Sequence, residues 1–260
     1  MMRKMMLLSA AVLVLLSACH KKDDPKPSNP TTPTNTTGTM GFSFANKVGN
    51  QPVVLHTGVY QNANGDTYSI NLYKYYISNI KLTSDNGTVF AEPNSYHLVN
   101  EELTSSKTFS ISNVPSGNYT SVTFLIGVDS AANTSGANTG ALDPQNGMYW
   151  AWNSGYIMAK LEGTSPQSTA PNNAITFHMG GFAGKNNVLK TVTLQLPTAA
   201  TVSAAKTPVI NLNSDAAQWF GTPNVINFAQ LNTVTDAGLD AASISQNYKN
   251  MFSIDHVDNQ

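Results

Sequence analysis

In the run Phe177-His178-Met179-Gly180-Gly181, an imidazole stands next to a thioether, and two glycines follow that allow other backbone to approach closely. Neutral imidazole and thioether are ligands that Cu(I) accepts without thiolate. Besides His20 the chain carries His56, His97, His178 and His256, and beyond its first residues the methionines Met40, Met148, Met158, Met179 and Met251. Taken singly, each histidine also suits a surface or a satisfied core position, and each methionine also suits an irregular core gap. The second chemical feature is GALDPQNGMYWAWNSGY at 140–156, where Trp150 and Trp152 are two residues apart. On a regular strand both indoles would project from one face, as packed core or as reactive rings. Asp129 and Asp143 flank the polar loop 130–141, and Glu162 follows the tryptophans. Paired carboxylates suit glycoside chemistry or, with Asn133, an oxygen-rich calcium site; loop capping accounts for them more simply.

Other chemistries lack their residues. There is no HExxH, no close histidine pair, no GxSxG, no SxxK, no P-loop and no dinucleotide fingerprint. The single cysteine is Cys19, which leaves no thiol for a disulfide or a thiolate metal site in the remainder. A formal net charge of −1 with no basic stripe gives nucleic acid nothing to hold. The expectation is a binding protein, not an enzyme.

The elements that must position these residues are strands. Residues 40–46, 67–82, 96–100, 108–111, 121–128, 149–162, 175–180, 188–196 and 209–212 alternate or run apolar, with β-branched and aromatic residues. Asn64-Gly65, Asn86-Gly87 and Pro115-Ser116-Gly117-Asn118 supply turn chemistry between them. Charged residues are only 11% of the chain, against roughly 25% in ordinary soluble domains, and Asn, Thr, Ser and Gly carry the polarity. The expected fold is mainly β, an antiparallel β-sandwich with a short helical C-terminal segment. Asp215 is placed to cap a short helix through Trp219 and Phe220. Asp240 is placed to cap a second helix over 241–252, with Ile244, Tyr248, Met251 and Phe252 on one face, before a tail that contains His256.

The first residues set location and domain boundaries. Arg3 and Lys4 precede an apolar run at 7–16, and Leu16-Ser17-Ala18-Cys19 resembles a bacterial lipobox. The expectation is a lipoprotein signal peptide over 1–19, with Cys19 lipidated, and membrane attachment through acyl chains. Residues 20–39 read as a flexible stalk of Pro, Thr, Asn and Ser, and 40–260 as one domain. His20-Lys21-Lys22-Asp23-Asp24 resembles the surface-export signal of Bacteroidetes lipoproteins. The location expected is the cell envelope, on the outer membrane, periplasmic or surface-exposed.

Several runs together resemble the MbnP family: Tyr75-Tyr76-Ile77-Ser78-Asn79-Ile80, Tyr96-His97-Leu98-Val99, Ile126-Gly127-Val128-Asp129-Ser130, the 140–156 stretch with Lys160-Leu161-Glu162-Gly163, and His178-Met179-Gly180-Gly181. These are extracytoplasmic copper-binding proteins associated with methanobactin operons. The resemblance implies a β-rich domain that takes part in copper uptake or sequestration. It also implies a tryptophan oxidised to kynurenine by a partner di-haem peroxidase of the MbnH type, and uptake in turn would engage an outer-membrane transporter. Carried onto this chain, the oxidised residue is Trp150 or Trp152, with Trp152 favoured because it lies closer to Gly155. The imidazole ligands are His178 and His256, with Met179 as a thioether candidate. The tail departs from the family pattern, since His256-Val257-Asp258 has Asp258 where a second histidine is usual. The alternative is a structural or glycan-binding surface lipoprotein without metal.

Overall fold

In the computed structural model the described residues are 36–153 and 155–260. Cys19, the signal peptide and nearly all of the stalk lie outside them. Fifteen strands are formed: β1 Thr37–Val48, β2 Gln51–Pro52, β3 Tyr60–Gln61, β4 Thr67–Ser84, β5 Val89–Ala91, β6 Tyr96–Asn100, β7 Thr108–Pro115, β8 Gly117–Ile126, β9 Tyr149–Trp150, β10 Gly155–Thr164, β11 Ala174–Gly180, β12 Lys190–Val202, β13 Val209–Asp215, β14 Thr233–Val234 and β15 Phe252–Asp258. The two α-helices are α1 Ser130–Thr134 and α2 Leu239–Tyr248.

The strands make two sheets. The larger runs β12-β8-β4-β10-β11-β14, with β3, β5 and β6 also on β4 and β9 on β10; the smaller runs β15-β13-β1-β2, with β7 on β1. β4 is the spine of the larger sheet because eighteen residues with alternating burial let it serve β10 through Ser69–Tyr75 and β8 through Ile77–Ser84. The two inner faces meet through aromatic rings. Phe252 of β15 packs 5.4 Å from Tyr75 and 5.1 Å from Phe124, and Tyr73 of β4 lies 6.0 Å from Trp219. Tyr73 and Tyr75 are fully enclosed, and burial pushes both phenols well above their ordinary range. They stay as neutral hydroxyls and spend them on partners: Tyr73 Oη lies 3.0 Å from Ser214 Oγ, and Tyr75 donates to Asn46 Oδ1 at 2.8 Å. A sandwich with few charges is thus held by rings, of which Tyr73 and Tyr75 have their polar tips satisfied inside it.

The architecture is the mainly β sandwich that the alternation indicates, with four differences. Two ladders, β1 with β13 and β11 with β14, are parallel. The turn at Pro115-Ser116-Gly117 is not a hairpin tip, because β7 pairs in the smaller sheet and β8 in the larger, so it carries the chain between them. The expected strand over 149–162 is a hairpin: β9 and β10 face each other across residues 151–153, where Asn153 N–H donates to Trp150 O at 3.2 Å. The expected helix over 241–252 stops at Tyr248, and Asp240 sits in its first turn while Gly238 takes the cap position. Phe252 instead opens β15, since pairing with β13 supplies the tail with a full ladder and buries Phe252. Asp215 does cap the short helix Ala216–Phe220, accepting from Ala217 N–H at 3.0 Å.

Candidate functional site

The tryptophan hairpin is held by short-range turns and by two tyrosines. Between α1 and β9 the chain makes two single turns, at Gly140–Leu142 and Pro144–Asn146, and reverses at Gly147, whose φ of 71° suits glycine. Asp143 caps the second turn through Gln145 N–H at 2.8 Å. Tyr156 donates to Leu142 O at 2.9 Å and Tyr76 donates to Ala141 O at 3.0 Å, so both phenols pin this loop to the sheet. Asn133 ties in the other end. Its Nδ2 donates to Val128 O and to Asp129 O, and its Oδ1 accepts from Tyr156 N–H at 2.9 Å.

Trp150 and Trp152 have opposite exposures. Trp150 is 6% exposed and Trp152 69%, with ring centroids 5.5 Å apart. The seat of Trp150 is Gly180. A Cβ on Gly180 would come within 2.0 Å of Trp150 Cζ3 and 2.3 Å of Cη2, so only glycine admits the ring. Gly181, at φ 113°, lies equally close to the backbone oxygen of Asn186. The Gly-Gly pair is therefore a place of close approach, by a ring on one residue and by backbone on the next.

His178 lies two residues before Gly180 on β11, and alternate residues of a strand share a face. It pairs in register with Lys160 of β10. Its Nε2 lies 2.7 Å from Glu162 Oε1, and Lys160 Nζ lies 3.2 Å from the same oxygen. The His178 hydrogen bond, against the cost of partial burial and with help from Lys160, holds the Glu162 carboxyl at about 2. With the Glu162 carboxylate on Nε2, that nitrogen carries a hydrogen, and Nδ1 has no hydrogen-bond partner among the described residues. Lys160 also donates to Gly147 O at 3.3 Å, which links the ion pair to the tryptophan hairpin. Met179 points the other way, into the core at 0% exposure.

His256 is in different surroundings. It stands on β15 of the smaller sheet, half exposed, with Nδ1 2.7 Å from Asp255 Oδ2 and Nε2 3.3 Å from Asp258 Oδ2. Hydrogen bonding from Asp255 and the nearby charge of Asp258 raise its proton affinity. Of the remaining histidines, His97 stacks on Phe109 with centroids 3.7 Å apart and binds Glu92, and His56 lies in an exposed turn at φ 68°. Asp129, the carboxylate nearest to a calcium arrangement, caps α1 through Ala131 and Ala132 N–H and accepts from Tyr96 and Asn79. Burial opposes its ionisation, but these four hydrogen bonds outweigh it and keep the carboxyl below its usual range. Asp129 and Asp143 thus act as caps. Among the described residues no group of three or more His, Cys, Asp or Glu is placed to hold a metal ion.

The structure thus sets Trp150 against Trp152 and over Gly180, two residues along β11 from His178, and places Met179 on the opposite face and His256 in the other sheet. Sequence reasoning passed over the functions of Glu162, Lys160 and Tyr156. The spacing Lys160-x-Glu162 was visible, but their partner His178 becomes so only through the strand register.

No curated protein matches this chain. A solved structure, MbnP from Methylosinus trichosporium, matches with a TM-score of 0.50 at 11% identity, covering 78% of this chain and 83% of that one, a likeness of fold. The MbnP family model matches residues 37–237, and that match sets the assignment: the chain belongs to the MbnP family.

Proposed function

We propose that this chain is a copper-binding, lipid-anchored extracytoplasmic protein that acts in copper uptake or sequestration and performs no catalysis of its own. The observation that carries the reading is the state of His178. A histidine that ligates a metal almost always gives its other ring N–H to a carboxylate or carbonyl, and His178 gives Nε2–H to Glu162 while Nδ1 has no hydrogen-bond partner among the described residues. Trp150 sits over Gly180, two residues on along the same strand face. The donor set fits a soft cation in part. It supplies one imidazole with an aromatic pair beside it, and oxidised tryptophan would add the rest.

Opening an indole to kynurenine breaks the C2–C3 bond and inserts two oxygen atoms, a four-electron oxidation that would consume two equivalents of hydrogen peroxide and give N-formylkynurenine. Water then hydrolyses the formyl group and C2 leaves as formate. An aryl amine and a ketone replace the donor-only ring nitrogen. The oxidant would come from a partner di-haem peroxidase of the MbnH type. Trp152 is the residue we assign to this change, because at 69% exposure its new polar groups meet water at no cost, whereas in Trp150 they would be enclosed. In this reading Glu162 orients the imidazole, Lys160 balances its charge, and Gly180 holds Trp150 in place. An outer-membrane transporter would take the metal onward.

Protein isolated from its native host tests the reading by copper analysis and peptide mass mapping. Stoichiometric Cu(I) with kynurenine at residue 152 is expected. Modification at Trp150 alone overturns the choice of tryptophan, and a copper-loaded sample with both rings intact rules out the kynurenine route. Attachment is tested separately. Cys19→Ser should move the protein from the membrane fraction to a soluble or unprocessed form, and unchanged partitioning would defeat the lipid anchor. Among the described residues no helix is long and apolar enough to cross a membrane.

A further inference from the structure

Beside Trp150 lies a cavity of about 230 Å³ whose walls include Asn133, Asn153, Asn186, Trp150, Tyr156 and Phe182. We propose that it binds a neutral sugar ring. No carboxylate, ammonium or guanidinium group is among its lining residues. A charged ligand would give up its hydration there without a counter-charge, so the occupant is uncharged. Aromatic rings and side-chain amides together suit a molecule with apolar C–H faces and hydroxyls at its edge.

The amides divide by what they have left to offer. Asn133 is committed on both sides, to Tyr156 N–H and to the Val128 and Asp129 carbonyls, and serves as framework. Asn186 gives Nδ2–H to Ala237 O at 3.2 Å, while its Oδ1 is enclosed with no hydrogen-bond partner. A buried acceptor without a donor is costly, and a turn of the Asn186 amide toward the cavity it lines would let a ligand hydroxyl meet the need. Asn153, in the exposed turn of the hairpin, makes no side-chain hydrogen bond among the described residues, so both its donor and its acceptor are available.

Size limits the occupant to one ring. Sites for drug-sized ligands run from about 300 Å³ upward, and this cavity is smaller. The aromatic surface continues outside it, since Trp152 lies exposed against Trp150. A second ring of a longer saccharide would stack there. The sugar is then either a free monosaccharide or the terminal residue of a glycan, and the two make different demands on Trp152.

The full-length protein, kept in a copper chelator so that the outcome does not depend on metal, is titrated with D-glucose, D-galactose and N-acetyl-D-glucosamine. Maltotriose and chitotriose serve as longer probes, and D-glucuronate and D-glucosamine, which keep the ring, as charged counterparts. Binding is read by calorimetry and tryptophan fluorescence. Saturable binding of at least one neutral probe is expected, with its charged counterpart at least about tenfold weaker. Asn186→Ala should weaken binding about tenfold. If Asn186→Ala fails to fold by circular dichroism, Asn153→Ala decides, with a loss expected in the same direction. A trisaccharide advantage that Trp152→Ala abolishes assigns the site to glycan ends, and equal affinity for mono- and trisaccharide assigns it to free sugars. The proposal is overturned if no neutral probe binds saturably, if charged counterparts bind as well, or if both asparagine variants bind like the parent.

Discussion

His178 and His256 are each hydrogen-bonded to carboxylate, yet the two regions surround their rings differently. His178 has one carboxylate on Nε2, half-buried surroundings, and a free Nδ1 on the strand face that also bears Trp150. His256 has a carboxylate on each nitrogen and stands half in solvent. One carboxylate orients an imidazole for a further partner; two occupy it and favour the imidazolium.

The comparison can be broken most forcefully at Gly180. Gly180→Ala puts a methyl where the Trp150 ring now sits, so the ring must leave its seat. A loss of about 1 to 3 kcal/mol in unfolding free energy is expected, with a red shift in tryptophan emission. A melt and spectrum equal to the parent would show that the ring is not seated there. Glu162→Gln sharpens the contrast in metal affinity. It should weaken Cu(I) binding about 10 to 100-fold in a chelator competition, by freeing the His178 ring. His256→Ala should change that affinity by no more than about twofold. Equal losses from both would mean that the two histidines act together.

A smaller effect separates the regions by pH. The folded state holds Glu162 at about 2 against an ordinary 4.5, so the unfolded chain binds its proton first as pH falls. The stabilisation is complete above about pH 4.5 and fades between there and about pH 2. Glu162→Gln should flatten that part of the stability curve in acid melts. Lys160 and His178 remain to bias the result only slightly, because the site is partly open to solvent. An unchanged acid slope would show that the ion pair contributes nothing to folding.

The sandwich was legible because burial follows the period of two in two runs along β4, Tyr68 with Ile70 and Tyr73 with Tyr75, with a one-residue slip between them where the register against β10 shifts. The Asp215 cap was legible because capping is local. What failed was competition between patterns that sequence alone could not weigh. Ile244, Tyr248, Met251 and Phe252 fit a helical face, but the last belongs to a strand because β13 offers it a ladder. Trp150 and Trp152 fit one strand face, but the Asn153 turn splits them into a buried and an exposed ring. The site was half legible. Its aromatic and histidine residues stood out by type, whereas Glu162, sixteen positions from His178, joins them only through a register set by the whole sheet.

The parallel pairing of β1 with β13 bears on the order of folding. β7 can cover one edge of β1 once the first 115 residues are present, through pairs such as Thr37 with Pro115. The other edge waits for Gly41 to meet Val209, more than half the chain away. Contacts so distant in sequence close slowly, and until they do β1 shows a row of unpaired N–H and C=O groups. β13 in turn has its outer edge covered only when β15 arrives at the very end of the chain. A nascent or clipped form lacking residues beyond 208 would keep the larger sheet apart from β14 and carry an open strand edge able to recruit another copy. Synthesis to the last residues is therefore what protects this fold from self-association.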